Sequence, residues 1–158
     1  MIEVDVLVED GRWGALGDLE SLARRAVEAA FRAAKAEPGP VEISLLLADD
    51  AAVRELNRDW RERDKPTNVL SFPAPAQPGA PGPRHLGDIA IAYETLAREA
   101  SEEGKSLTDH ALHLIVHGAL HLLGYDHEAE AEAETMEGLE VEALAGLGVA
   151  NPYRDPPA

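Results

Sequence analysis

Cysteine is absent from this chain of 158 residues, and its absence excludes several kinds of site at once. Without thiols the chain cannot form disulfides, a zinc ribbon or an iron–sulfur cluster, and it has no cysteine nucleophile. Histidine and carboxylate side chains are left as the available metal ligands. Aromatic residues are also scarce, at 4 %, so Leu, Val, Ile and Ala must build the core.

Long apolar runs and positive charge are scarce as well. No stretch approaches the ~18 consecutive apolar residues that a membrane span requires, and the first residues do not resemble a signal peptide. We therefore expect one cytoplasmic domain over residues 1–158, with a frayed tail over 151–158. The formal net charge of −16 argues against unspecific binding to DNA or other nucleic acid and to an anionic membrane.

The few cations are concentrated in one short segment. Residues 51–100 hold 7 basic and 7 acidic groups, whereas residues 101–158 hold 2 and 12. Five of the seven cations in the middle part of the chain are Arg54, Arg58, Arg61, Arg63 and Lys65. A polyanion that binds this protein should therefore bind at this segment.

Hydrophobic periodicity predicts an α+β fold, with a small mixed β-sheet packed against helices. Strands are predicted over residues 2–8, 41–48, 68–72 and 86–93. Asp18 should cap the first helix, and either Asp49 or Asp50 should cap a second that runs to about Arg61. Later helices are predicted up to about residue 104, over 107–123 and from about 128. The Pro- and Gly-rich stretch 73–85 is expected to form a mobile surface loop.

Three histidines surround a glycine in HGALHLLGYDH, residues 117–127. His117 and His121 are four residues apart, so on a helix they project from one face and can hold one metal ion. Gly124 can adopt a positive φ and turn the chain back, so that His127 completes the set. Three imidazoles leave a fourth tetrahedral position for water, which is typical of a catalytic zinc site. Zinc lowers the pKa of such a water towards ~7.

Other residues near the cluster have less defined roles. His113 and His110 lie one and two turns before His117, and we expect them to support the ligands or to lie at the surface. Asp126 is interpreted either as a solvated acid or as a group that orients an imidazole. The spacing HxxxHxxGxxH matches metzincin proteases, but these have a general-base glutamate where this chain has Gly118. Peptide hydrolysis is therefore disfavoured.

A second unusual stretch, NRDWRERDKPTNVLSFP, covers residues 57–73. Pro66 disfavours a helical conformation of Lys65, so this stretch should join an Arg-rich helix to a short strand. Arg61 and Lys65 lie at the helix exit, where a cation can reach a neighbouring cleft. For the other three arginines of the segment, surface ion pairs are expected.

Three motifs, NRDWRERDKPTNVLSFP, LGDIAIA and HGALHLLGYDH, together resemble the YbeY family of bacterial metal-dependent endoribonucleases. The resemblance covers most of residues 50–130. It implies an α+β fold with a zincin-like metal helix, one zinc ion held by His117, His121 and His127, and a catalytic arginine at Arg61. It also implies cleavage of single-stranded RNA, in 3′-end maturation of 16S ribosomal RNA and in ribosome quality control, with the ribosome or ribosomal proteins as further partners.

Two other functions remain open from the residues alone. The first is a different zinc hydrolase, of which a peptidase is disfavoured by Gly118. The second is a ribosome-assembly factor whose metal is only structural, and the open fourth coordination position argues mildly against it. For the nuclease itself, both a metal-bound water and a ribose 2′-hydroxyl stay open as the attacking group.

Overall fold

The computed structural model describes residues 2–36, 39–61, 67–75, 82–126 and 129–153, without the side chain of Arg61. Within these residues, four strands form one sheet in the order β1-β2-β4-β3. Their bounds are β1 Ile2–Val8, β2 Val41–Ala48, β3 Val69–Pro73 and β4 Arg84–Ala92. Strands β1, β2 and β4 are parallel, and β3 is antiparallel to β4, so the predicted mixed sheet is confirmed.

Five α-helices complete the described part of the chain. They are α1 Leu19–Ala33, α2 Asp50–Arg61, α3 Tyr93–Glu103, α4 Leu107–Leu122 and α5 Glu130–Gly146. A short 3₁₀ helix, Gly11–Leu16, connects β1 to α1. The α+β prediction is therefore confirmed. None of the described helices combines the length and the apolar character needed to cross a membrane.

Local capping explains why several boundaries were predictable. Asp18 accepts a hydrogen bond from the backbone N–H of Ser21 (3.1 Å), as expected for the cap of α1. Asp49 accepts one from the backbone N–H of Ala52 (2.8 Å), so Asp49 rather than Asp50 caps α2. Helix α4 is followed by Gly124 with a φ of +103°, the predicted left-handed turn.

Strand β4 differs from its prediction because its start depends on a distant partner. It begins at Arg84 rather than Leu86, so Arg84 and His85 belong to a strand and not to the predicted loop. Arg84 is paired with Val41, the first residue of β2, and this parallel pairing extends the strand. Residues 76–81 of the predicted loop lie outside the described residues.

The sheet separates two layers of helices. Helices α1 and α4 cover one face, with α5 packed on both of them, and α2 packs on the other face. The main core includes alternate residues of β2, namely Val41, Ile43, Leu45 and Leu47. Helix α4 lies at the centre of its layer, in contact with α1, α3, α5, β3 and β4. Most side chains of α4 are therefore buried, and only a narrow stripe remains accessible.

Candidate metal centre

The accessible stripe of α4 consists of histidines. Between residues 110 and 122, every residue of the helix is buried except His113, His117 and His121. These three recur every fourth residue, which on a helix places them on successive turns of one side. The burial of the rest of α4 against the sheet and the neighbouring helices thus fixes the direction in which these imidazoles point.

Two of the predicted ligands converge. Nε2 of His121 lies 3.0 Å from Nε2 of His117. Two nitrogens bound to one tetrahedral zinc at ~2.0–2.1 Å would lie about 3.3 Å apart, so the observed separation is close to that of a shared ion. No group of three possible ligands forms within the described residues, and the third predicted ligand, His127, lies outside them.

The second ring nitrogen of His117 faces a carboxylate that the sequence analysis missed. Glu140 of α5 is only 1 % exposed, and its Oε1 lies 3.1 Å from Nδ1 of His117 and 2.7 Å from Nε2 of His113. The hydroxyl of Tyr153 donates to both carboxylate oxygens at 3.0 Å. Tyr153 lies in the segment that was expected to fray; residues 154–158 lie outside the described part of the chain.

Electrostatics keep this carboxylate charged. Burial raises the pKa of Glu140, but the hydrogen bonds from His113 and His117 and the charges of these two imidazoles together outweigh burial and bring that pKa to about 2. Partial burial, together with the charge of Glu140, raises the pKa of Tyr153 above its ordinary value. Tyr153 therefore stays protonated and donates, while Glu140 stays ionised and accepts.

The spacing of residues along α5 indicates that Glu140 is buried. Met136, Glu140, Ala143 and Leu144 recur at the interval of a buried helix face, and all four are buried. A glutamate on such a face requires a partner, because a buried unpaired charge is costly. The abundance of acids elsewhere in α5 obscured this signal. Asp126, which was predicted either to be solvated or to orient an imidazole, lies four residues after the end of α4 and is half-buried.

The two other histidines of α4 contact different acids. His113 donates to Glu140, as described above. His110 is 3 % exposed, and its Nε2 lies 2.9 Å from Oε1 of Glu99 on α3. Glu99 also accepts a hydrogen bond from Nδ2 of Asn68 (3.0 Å), which directly precedes β3. His110 thus connects α4, through α3, to the start of β3, and a surface role for it is wrong.

The predicted catalytic arginine is the last residue of α2. The side chain of Arg61 and residues 62–66, including Lys65, lie outside the described part of the chain. The described residues continue from Thr67, just before β3, whose Ser71 hydroxyl donates to the carbonyl of Gly118 on α4 (3.4 Å). Of the remaining arginines in this segment, Arg58 forms the expected surface ion pairs, with Asp59 at 3.2 Å and Glu55 at 3.9 Å.

The amino-acid sequence is similar to those of known proteins over most of its length. The sequence profile of the family described as Endoribonuclease YbeY matches residues 12–148. A protein named Endoribonuclease YbeY from Bradyrhizobium sp. strain BTAi1 is 54 % identical over 156 residues, which cover 96 % of this chain and 92 % of that protein. A protein of the same name from Azorhizobium caulinodans is 51 % identical over 156 residues, 98 % of each chain.

A solved structure extends the comparison to the fold. The solution structure of TM1509 from Thermotoga maritima matches with a TM-score of 0.56 at 25 % sequence identity. The match covers 94 % of this chain and 92 % of that one. The family match over residues 12–148 therefore spans strands β2, β3 and β4 and helices α1 to α5, including the positions of the histidine stripe on α4.

Proposed function

This chain belongs to the Endoribonuclease YbeY family and is therefore an enzyme that hydrolyses RNA phosphodiester bonds, and we propose that it does so with zinc on single-stranded ribosomal RNA. The proposed ligands are His117, His121 and His127. The proposed task is 3′-end maturation of 16S ribosomal RNA and ribosome quality control in the cytoplasm, in association with the ribosome or ribosomal proteins. The convergence of His117 and His121 is the observation that carries the metal assignment.

The donor set fits zinc. Neutral imidazole nitrogens are good ligands for this ion, and the chain offers no thiolate that would favour another metal. Because a carboxylate only accepts hydrogen bonds, Nδ1 of His117 donates to Glu140, which leaves the lone pair of its Nε2 for a metal. A zinc ion held by these histidines would supply Lewis-acid chemistry, which can activate a water or polarise a phosphate oxygen.

The proposed role of Arg61 is to hold the phosphate. A guanidinium can donate two parallel hydrogen bonds to two phosphate oxygens, and it stabilises negative charge that develops on them during cleavage. One observation supports a position near α4: strand β3, which follows α2 in the chain, packs on α4 through Ser71 and Gly118.

Charge distribution supports a restricted mode of RNA binding. The net charge is −16, and helix α5 is rich in acids, so most of the surface repels a polyanion. The cationic segment from Arg54 to Lys65 offers a small number of phosphate contacts. Binding should therefore be weak, salt-dependent and confined to that side of the molecule.

The structure bears on the rival functions. The residue after His117 faces the sheet, since a Cβ on Gly118 would lie 2.9 Å from Cγ2 of Ile89. A glutamate base at this position, as in metzincin proteases, would not fit, which argues against a peptidase. A ribosome-assembly factor with a structural metal would bind RNA without cutting it.

One experiment separates these functions. Purified protein is incubated with a single-stranded RNA, a structured RNA and an unstructured peptide, with and without a zinc chelator. We expect only the single-stranded RNA to be cut, and we expect the chelator to stop cleavage. Peptide cleavage would favour the other hydrolase, binding without cleavage would favour the assembly factor, and cleavage that the chelator leaves unchanged would contradict the metal-dependent mechanism.

A further inference from the structure

Glu140 is the one acid of α5 that the described structure buries, and it joins three side chains beside the candidate metal centre. We propose that Glu140 is a positioning residue, which fixes the ring orientation and the tautomer of His117 and stabilises the metal-bound state through its negative charge. This inference rests on the proposed metal site. It concerns how the site is prepared, namely which imidazole nitrogens Glu140 leaves available to a metal.

Packing alone does not explain this carboxylate. Its neighbours on the same helix face, Met136, Ala143 and Leu144, are buried and apolar. An apolar side chain of similar volume would fill the same space without losing the hydration that a carboxylate loses on burial. The burial of Glu140 is offset by hydrogen bonds from His113, His117 and Tyr153. A charge retained in this setting indicates a role towards the groups that it contacts.

The hydrogen bonds assign a tautomer to each ring. An ionised carboxylate has no proton to donate, so each of its partners must donate. His117 therefore carries a proton on Nδ1, and its Nε2 points towards Nε2 of His121. A carboxylate that accepts from the outer nitrogen of a metal-binding histidine also raises the basicity of the inner one.

The same hydrogen bonds remove Nε2 of His113 from the candidate ligand atoms. Its Nε2 donates to Glu140 at 2.7 Å, so this nitrogen has no lone pair left for a metal. Its Nδ1 is buried and has no hydrogen-bond partner among the described residues. His113 and His117 lie on adjacent turns of one helix, yet Glu140 binds them through different nitrogens. One carboxylate thus selects which histidine is available to the metal.

Tyr153 completes the arrangement from the end of the described chain. Its hydroxyl donates to both oxygens of Glu140 and lies 3.3 Å from Nε2 of His113. With these contacts the carboxylate is held between α4 and the residues that follow α5. Removing the hydroxyl should loosen the carboxylate but leave its charge and its contact with His117.

The test compares two glutamates of the same helix. Glu140→Gln removes the buried charge at nearly constant shape, and Glu142→Gln makes the same change at an exposed position. Zinc affinity is measured by competition with a chelator of known affinity. Loss of an outer partner of a metal ligand typically costs ~10–100-fold in affinity. We expect such a loss for Glu140→Gln, a smaller one for Tyr153→Phe, and no change for Glu142→Gln.

A second readout separates positioning from a merely structural role. Nitrogen-15 NMR of the metal-free wild-type protein reports which ring nitrogen of each histidine carries the proton. We expect Nδ1 for His117 and Nε2 for His113. A proton on Nε2 of neutral His117 would overturn the inference, and this measurement remains decisive even if Glu140→Gln does not fold.

The outcome also distinguishes this inference from the proposed function. If the wild type binds zinc and Glu140→Gln binds it equally tightly, the positioning role is wrong and the metal site stands. If the wild type neither binds zinc nor cuts RNA, the proposed function itself fails. Glu140→Asp keeps the charge but shortens the side chain by one methylene. If the charge contributes besides orientation, the zinc affinity of this variant should lie between those of Glu140→Gln and the wild type.

Discussion

Gly118 of α4 packs directly on Ile89 of β4, and a Cβ built on Gly118 would lie 2.9 Å from Cγ2 of Ile89. Ile89 is fully buried, and its β-branched side chain cannot easily rotate away. The glycine between the two helical histidines is therefore required by the close approach of helix and sheet. Because the helix lies so close to the sheet, most side chains of α4 are buried and the histidine stripe remains accessible.

Gly118→Ala should destabilise the protein despite the better helix propensity of alanine. Overpacking of a tight contact costs about 1–3 kcal/mol, and we expect the free energy of unfolding to fall by that amount. Gly138→Ala is the matched control, since nothing lies within 4 Å of a Cβ at that position of α5. The control should gain up to about 1 kcal/mol. Denaturant unfolding of both variants tests this prediction. If both variants were equally stabilised, the tight contact between Gly118 and Ile89 would not limit the side chain at this position.

His110→Ala should lower stability but leave the zinc content unchanged. The buried His110 contacts Glu99 at 2.9 Å, and its loss leaves a space and removes a hydrogen bond, at a cost of about 1–3 kcal/mol. His85→Ala is the control, because this histidine is 37 % exposed on β4 and should cost about 1 kcal/mol or less. Zinc analysis and melting curves check both. A loss of zinc in His110→Ala would place His110 among the ligands.

Glu140 should make the metal-free protein less stable in acid. The pKa of this carboxyl lies at about 2 in the folded protein, against 4.5 for an ordinary glutamate. Its ionised form therefore stabilises the folded state fully above about pH 4.5, and this contribution is lost as the pH falls towards 2. A shift of this size corresponds to on the order of 3 kcal/mol. The unfolding free energy of Glu140→Gln should lack this part of the pH dependence, whereas Glu142→Gln should retain it.

The sequence predicted those structural features that depend only on residues close together in the chain. Asp18 and Gly124 act on their own helix ends, and the spacing of His117 and His121 alone places both on one side of α4. The start of β4 at Arg84 was missed because pairing with Val41, far away in the sequence, extends it. The spacing along α5 could indicate that Glu140 is buried, but not which side chains it contacts, because His113 and His117 become its neighbours only when α5 packs on α4.

Arg61→Ala should reduce turnover without changing zinc content or melting temperature. A donor pre-positioned for charge in the transition state is worth on the order of 10²–10³ in rate. Arg61→Lys keeps the charge but not the two parallel hydrogen bonds, so it should recover only part of the activity. Arg98→Ala is the control, since this exposed arginine of α3 lies outside the cationic segment. The measurement is the rate of RNA cleavage in a single turnover. A wild-type rate for Arg61→Ala would show that Arg61 has no catalytic role.

The most direct test of the zinc-dependent nuclease is a metal titration of the wild-type protein and His121→Ala. Both are stripped with a chelator, and cleavage of a single-stranded RNA is followed as zinc is added back. For the wild type we expect activity to return in proportion to zinc and to reach its plateau at one ion per chain. His121→Ala should stay inactive at the same zinc concentrations. Full activity of the stripped wild type, or an identical titration curve for His121→Ala, would contradict the proposed metal centre.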